Sequence, residues 1–504
     1  MTTSTARLDP QLRSLALVVL AGTIMTVLDT TIVNVALNDL GRDLHTSLST
    51  IQWVLTGYTL ALTMTIPLTG WAVRRFGARR VWLAALFAFG LGSVLCGVAW
   101  SVGSLIAFRV LQGVGGGALM PVGQTMLAQA AGPDRMGRVM SVVAIPAMLA
   151  PVLGPVLGGA ILDHLAWRWL FFINAPVCVV AVALAVRWLS SDHGGSDVGV
   201  RLDVIGLVLF SPGLAALVYG LSEAGNGAGL SSSRVLAGVS AGVVLLVAGV
   251  VHGARARAGA ALIDVRLFTR RSFLLPTAGM FSYGVGLFGV MVLLPLYFQL
   301  IRGAGSLEAG LRIAPLGLGA MATMAVSGRL ADRYGARWIA AGGVAVVGGA
   351  LLVCTRLSAT TSLPLLLGVV LVIGVGHGLA TPPLMAAAYR GLDRSQAPAA
   401  STAGNVVLRL GTAIGPAVLA VVLQSAIRDR VPGAAGTLAD AGRAAATGGA
   451  DALAGAFGVG FAWAAGALAV ALALVLAIPR VVRPAAPPEP AAGRPADPSA
   501  APAA

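Results

Sequence analysis

A carboxylate and an arginine stand in this chain where hydrocarbon would tolerate neither alone. Asp29 lies in an apolar run that starts near Leu15 and continues past Leu37, eight or nine residues before its far end. At 1.5 Å per residue that is roughly 13 Å deep. Arg109 lies five or six residues past the polar stretch Trp100–Ser104 in another apolar run, hence about 9 Å deep from the same side. Their side chains reach a common depth. A carboxylate there must be paired, protonated or faced with water. Arginine keeps its proton in proteins but biases a carboxylate that gives one up. The chemistry this pair offers is therefore proton binding and release. Gln112 and Gly113 follow on the next turn, where glycine permits close helix approach. Asn34 reads equally as a substrate contact or a contact between helices. His377, among Gly374, Gly376 and Gly378, is a second protonatable candidate, with a plain hydrogen bond to a facing helix as the alternative. Tyr58 belongs to a set of aromatics that could line a cation-tolerant cavity.

The elements that hold these residues follow from composition. The chain is 57% hydrophobic and 11% charged, with mean hydropathy +0.88. Fourteen apolar spans are expected, near 14–37, 51–73, 81–100, 103–130, 138–162, 169–190, 203–222, 234–252, 273–299, 307–328, 338–356, 362–389, 399–426 and 455–479. Roughly 30 Å of hydrocarbon asks about twenty such residues of a helix. The net charge of +15 would suggest nucleic acid in a soluble chain, but the 34 basic residues are all arginine and fall mainly in short loops on alternate sides. No nucleic-acid partner is expected. Twenty-three loop arginines fall on the side of the N-terminus and nine on the other, a positive-inside bias that predicts both termini in the cytoplasm. The first apolar run is too long and too polar for a cleaved signal segment. Cys96, Cys178 and Cys354 sit inside apolar runs without metal-ligand spacing, which points to packing.

An internal repeat organises the spans. The stretch Gly70 to Arg80 returns at Gly328 to Arg337, 258 positions on, with Gly, Arg, aromatic and Gly-Ala-Arg in register. Gly154-Pro155 returns as Gly415-Pro416, 261 positions on. Two signals at nearly one offset predict a duplicated transport protein. The charged loop follows span 2 and then span 10, so the expected plan is six plus two plus six. Residues 1–13 are a cytoplasmic segment, 14–190 a six-helix bundle, 191–272 two inserted helices with flanks, 273–479 a second six-helix bundle with a long external loop at 427–453, and 480–504 a disordered tail rich in Pro and Ala.

At this point the residues carry a family resemblance. The sequence resembles the major facilitator superfamily, and within it the fourteen-span drug:proton antiporters of the EmrB/QacA type. The resemblance rests on Asp29 to Leu37, the Gly70–Arg80 loop, Arg109-Val-Leu-Gln112-Gly113, Pro151 to Gly159, Trp167 to Pro176 and Leu262 to Phe268. It implies an all-α polytopic membrane protein of the major facilitator fold, two six-helix bundles plus two inserted helices. It also implies that Arg109 is linked to proton coupling, beside Asp29, whose proton role is read from its depth. The antiporter motif would be Pro151, Gly154, Pro155, Gly158 and Gly159. Gating loops would comprise Gly70, Arg75, Gly77, Arg79 and Arg80, and Gly328, Asp332, Arg333, Gly335 and Arg337. Where the family loop usually carries Asp before its Arg, the first copy has Arg74, whereas the second keeps Asp332.

The expected function is proton-coupled efflux of hydrophobic, cationic compounds across the cytoplasmic membrane by alternating access. The alternative is dedicated export of a self-made antibiotic or other metabolite. No enzyme chemistry is expected, since the sequence carries no metal cluster, phosphate-binding Gly loop before a helix or soluble catalytic domain, and no cofactor is expected, since the proton gradient would supply the driving force. Partners would be small-molecule substrates, protons and lipids, with the protein working as a monomer and a periplasmic adaptor left open. In this scheme Asp29 alternately holds a proton and a cationic substrate, with Asn34, Gln112 and Tyr58 lining the substrate cavity.

Overall fold

Two glycines set the geometry of the helical repeat. In the computed structural model, which describes residues 10–131, 139–140, 153–154, 157–189, 199–225, 232–257, 259–390, 392–431, 442 and 449–479, helix α2 (Trp53–Phe76) ends at Gly77 and α3 (Ala78–Gly97) begins there. Gly335 does the same between α10 (Ser306–Tyr334) and α11 (Ala336–Cys354). Their φ angles are 85° and 92°, a left-handed conformation that residues with a Cβ avoid. The charged loops expected here thus shrink to one residue each. Arg74, Arg75 and Arg333 lie in the last turns of the preceding helices, where basic side chains suit the dipole, whereas Arg79, Arg80 and Arg337 lie in the first turns of the following ones. Arg79 Nη2 donates to the Val186 carbonyl at 3.1 Å, and Arg337 Nη1 donates to the Ile478 carbonyl at 3.1 Å. Each loop is so tied to the end of the sixth helix of its own half.

The remaining long helices are α1 (Pro10–Val35), α4 (Val102–Ala131), α5 (described over 157–164), α6 (Asn174–Trp188), α7 (Val204–Gly225), α8 (Ser233–Arg255), α9 (Arg271–Leu300), α12 (Leu363–Ala388), α13 (Ala397–Arg430) and α14 (Ala450–Leu476), with short helical segments at Leu37–Asp43, Leu48–Ile51 and Trp169–Phe172. Among the described residues twelve helices are long and apolar enough to cross a membrane. Helix α2 is of similar length, but its threonines make it less apolar. The fifth expected span lies mostly outside the described residues, as do Pro151, Pro155, most of 427–453 and the tail 480–504. The chain folds as an all-α polytopic membrane protein.

Small residues carry the packing, since lipid-facing helices gain little from hydrophobic burial and associate by close contact. Gly113 and Gly117 of α4 lie on α2, where a Cβ on Gly113 would approach the Tyr58 carbonyl to 2.5 Å and one on Gly117 would strike Leu62. Gly374 and Gly378 of α12 lie on Leu316 and Ala320 of α10 in the same way. Gly115 meets Ala85 and Phe89 of α3; Gly376 meets Gly343 and Val347 of α11. The offsets are 261 for the α4 and α12 residues and 258 for their partners. The duplication is therefore present in the contacts, not only in the loops.

Helices α7 and α8 form a tight hairpin through Gly220, Gly238 and Gly242. Helix α7 leans on α2, with Ser211 Oγ donating to the Met64 carbonyl at 2.7 Å and Tyr219 stacked on Trp53 at 5.9 Å. Helix α8 presents Val243, Val244, Val247 and Val250 outward. Asp203, just before α7, fastens the pair: it accepts from the Gly206 N–H at 2.8 Å and the Leu262 N–H at 3.0 Å, and meets His252 Nε2 at 2.9 Å. Burial pushes the Asp203 carboxyl up, but these hydrogen bonds outweigh burial and hold it below its usual value.

Candidate functional site

Asp29 and Arg109 meet, and both side chains are fully buried. Arg109 Nη1 donates to Asp29 Oδ2 at 2.6 Å. Gln112 Nε2 and Asn174 Nδ2 donate to Asp29 Oδ1 at 2.9 and 3.1 Å. Arg109 also reaches Gln112 Oε1 at 2.7 Å and, through Nε, the Val54 carbonyl at 3.2 Å. Its guanidinium lies 4.1 Å from the centre of the Tyr58 ring, within cation–π range. Asn174 continues to Ser93 Oγ at 3.0 Å, and Ser93 donates to the Phe171 carbonyl at 2.9 Å. Helices α1, α2, α3, α4 and α6 thus share one buried network. Its charges are balanced, yet Arg109 Nη2 and the Tyr58 hydroxyl are buried with no hydrogen-bond partner among the described residues. Buried unpaired donors are costly, so these two groups are unused bonding capacity in the conformation described.

The sequence pointed to Asp29, Arg109 and Gln112 but not to Asn174 or Ser93. Asn174 was visible only as part of the Trp167–Pro176 stretch; nothing local marks Ser93. Tyr58 and Gln112, expected in a substrate cavity, instead wrap the ion pair. Asn34 is exposed near the end of α1 and lines neither cavity described below, because it lies on the outer side of a turn whose other side, Ile32, Val33 and Ala36, is packed in the core.

A central cavity of about 170 Å³ lies between the halves. Met120, Met140, Met280, Met324 and Met385 line it together with Phe288, Tyr283 and His377. His377 Nδ1 meets the Tyr283 hydroxyl at 2.8 Å and the Thr381 hydroxyl at 3.1 Å, with the two rings parallel at 5.9 Å. Among the described residues no Asp, Glu or Arg lines this space. Methionines give an adaptable, polarisable wall. The volume falls below the 300–1,000 Å³ typical of ligand sites, so a bound molecule of drug size requires the halves to part.

At the end of the molecule that carries Gly77 and Gly335, hydrogen bonds join the halves. Thr69 and Thr402 hydroxyls meet at 3.0 Å, Asn405 Nδ2 donates to Gln124 Oε1 at 2.8 Å, and Ser401 Oγ donates to the Pro121 carbonyl at 2.7 Å. Gly70 permits this approach, since a Cβ there would lie 2.8 Å from Thr402 Oγ1. Arg74 Nη1 donates to the Gly259 carbonyl at 2.9 Å, binding α2 to the segment after α8. Arg75 and Arg333 lie against Phe76 and Tyr334. Gly328 is buried, while Arg80 and Asp332 are exposed.

Of the motif residues in the fifth span, Gly154 lies on α1, where a Cβ would come within 2.5 Å of Thr31 Cβ. Gly158 faces Ile32 and Val35, and Gly159 faces open space. Gly415 of the echo lies on Val285 of α9, the equivalent packing role.

A helical bundle with a sealed ion pair and a cavity between repeated halves defines a membrane transport protein. Residues 19–416 match the Major Facilitator Superfamily, and the chain belongs to that family. It is 38% identical over 419 residues to "Multidrug resistance protein B homolog" of Mycobacterium tuberculosis (strain ATCC 25618 / H37Rv), covering 83% of this chain and 77% of that one. "Putative multidrug resistance protein MdtD" of Escherichia coli O81 (strain ED1a) is 32% identical over 322 residues, 64% of this chain and 67% of the relative. Among solved structures, the human organic anion transporter MFSD10 (TETRAN) superposes with TM-score 0.62 at 16% identity, covering 93% of this chain and 100% of that one; at that identity the likeness is one of fold.

Proposed function

We propose that the protein is an exporter that exchanges hydrophobic compounds for protons by alternating access, with Asp29 as the proton site. The observation that carries this reading is the fully buried Asp29–Arg109 pair, because ionisable groups inside a membrane are costly and mark proton relays and ion pathways. Protonating Asp29 cancels its attraction for Arg109 and frees the guanidinium to seek other partners. Five helices meet at this network, so the change is felt across the first half. The names of the multidrug-resistance relatives support export as the direction.

The membrane is taken to be the cytoplasmic one, with the Gly77/Gly335 end inside, in line with the arginine bias. The conformation described is then closed toward the cytoplasm by the Thr69–Thr402 and Gln124–Asn405 bonds. Asp29 acts through Arg109 rather than as a counter-ion for substrate. The cationic substrate expected from the sequence has no support in the cavity, which no described carboxylate lines. Apolar, uncharged compounds suit its methionine and aromatic wall. Purified protein in liposomes provides the test: an imposed pH gradient should drive uphill movement of an uncharged apolar dye, and gradient-independent equilibration alone would refute proton exchange.

A further inference from the structure

We propose that Arg409 forms the head of a second ligand site, one that takes the acidic group of an amphipathic anion. Arg409 lies twelve residues into α13, about 18 Å along a helix that crosses roughly 30 Å of hydrocarbon. Charged side chains at such depth are almost always paired. Among the described residues the guanidinium of Arg409 has no carboxylate and no hydrogen-bond partner; the bond recorded at this residue is the Thr412 hydroxyl donating to its backbone carbonyl at 3.0 Å. Two described acids on helices of the neighbouring bundle and hairpin are committed elsewhere. Asp29 holds Arg109, and Glu223 lies 3.9 Å from Arg234 of α8.

Arg409 instead lines a pocket of about 310 Å³ between α2, α7, α9 and α13. Thr59 of α2 and Ser222 of α7 also line it, and their hydroxyls make no hydrogen bond among the described residues. A planar guanidinium flanked by two hydroxyl donors matches a carboxylate or a phosphate. The rest of the wall is apolar, with Leu221, Val292 and Ala420, and accepts the body of the same molecule. Helix α7, one of the two inserted helices, closes the fourth side, which gives the insertion a role in ligand choice. The occupant is therefore an anion with an apolar tail, either an exported acid or an acidic lipid.

As a statement about substrates this site rests on the export reading above; as a statement about binding it does not. The test uses full-length protein in nanodiscs of phosphatidylcholine, with decanoate, decanol and decyltrimethylammonium as calorimetric probes. Wild type should bind decanoate, Arg409→Gln should bind it about tenfold to a hundredfold more weakly, and Arg409→Lys should recover most of the loss. Decanol binding should not change. Equal decanoate affinity in wild type and Arg409→Gln would overturn the proposal. Two further arms separate the sources. Loss of decanoate efflux in Arg409→Gln, with efflux of an uncharged dye retained, assigns the site to substrate. Retained decanoate efflux with loss of co-purifying phosphatidylglycerol assigns it to lipid. If wild type moves no dye, the export reading fails while the calorimetric result stands by itself.

Discussion

Replacing Asp29 by Asn tests the coupling reading at the single bond on which it depends. The ionised carboxylate only accepts, and three donors converge on it: Arg109 Nη1 at one oxygen, Gln112 Nε2 and Asn174 Nδ2 at the other. An amide offers one acceptor face and one donor face. Whichever way it turns, one face meets donors with a donor, and Arg109 keeps an unbalanced charge in a fully buried site. Removing one partner of a buried pair costs about 3–5 kcal/mol. Thermal unfolding in detergent should therefore show Asp29→Asn clearly destabilised. The double variant Asp29→Asn, Arg109→Gln leaves no unpaired charge and should regain most of that loss. Coupling is read separately, from proteoliposomes with an imposed pH gradient. One pH unit is worth about 1.36 kcal/mol, so one proton per cycle supports about tenfold accumulation. Wild type should reach that ratio, while Asp29→Asn and the double variant should only equilibrate substrate. Tenfold accumulation at wild-type rate by either variant would refute Asp29 as the proton site, and recovery of stability without coupling excludes a merely structural role.

Three other outcomes follow from the geometry. Gly154→Leu places a side chain where a bare Cβ already crowds Thr31; overpacking costs about 1–3 kcal/mol, and efflux should vanish while membrane insertion, measured by immunoblot, persists. Asp203 titrates below its usual value in the folded protein, so its stabilisation is present above the unfolded carboxylate pKa of about 3.9 and is lost as pH falls through the folded value. Wild-type melting temperature should be insensitive to this group between pH 7 and about 4 and fall below that, whereas Asp203→Asn should be less stable at pH 7 and lack the added acid loss. Exchange of one proton for an uncharged substrate moves one charge, so 100 mV should add about 2.3 kcal/mol to the driving force; an electroneutral flux would restore the cationic substrate.

Much of the fold was legible because membrane helices write themselves as long apolar runs. The expected span at 234–252 and the observed Ser233–Arg255 differ by at most three residues. Loops were less legible: Arg74 and Arg75 looked like loop residues, yet they occupy the last helical turn, where the helix dipole welcomes them. The ion pair was legible because hydrocarbon makes any charge conspicuous. Asn174 and Ser93 were not, since neutral polar residues are common in such helices and only their contacts set them apart. The glycine triplets Gly113, Gly115, Gly117 and Gly374, Gly376, Gly378 carried a third repeat signal at offset 261, hidden in a chain with 66 glycines.

That third signal also shows what was not duplicated. At the same offset Arg109 corresponds to Val370, Gln112 to Ile373 and Gly116 to His377. The packing glycines persist in both halves, so α4 against α2 and α12 against α10 can move as equivalent units, while the polar groups between them differ. Gly116 must stay small because a Cβ there would approach the Tyr58 hydroxyl to 2.9 Å, leaving the first half room to enclose its ion pair. His377 fills the equivalent place in the second half and faces the cavity with Tyr283. On the proposed reading, the first half senses protons behind a sealed wall and the second presents the surfaces that meet ligand. The gradient sets the direction of exchange; the repeated contacts would supply the motion and the unrepeated side chains the separate sites for proton and ligand.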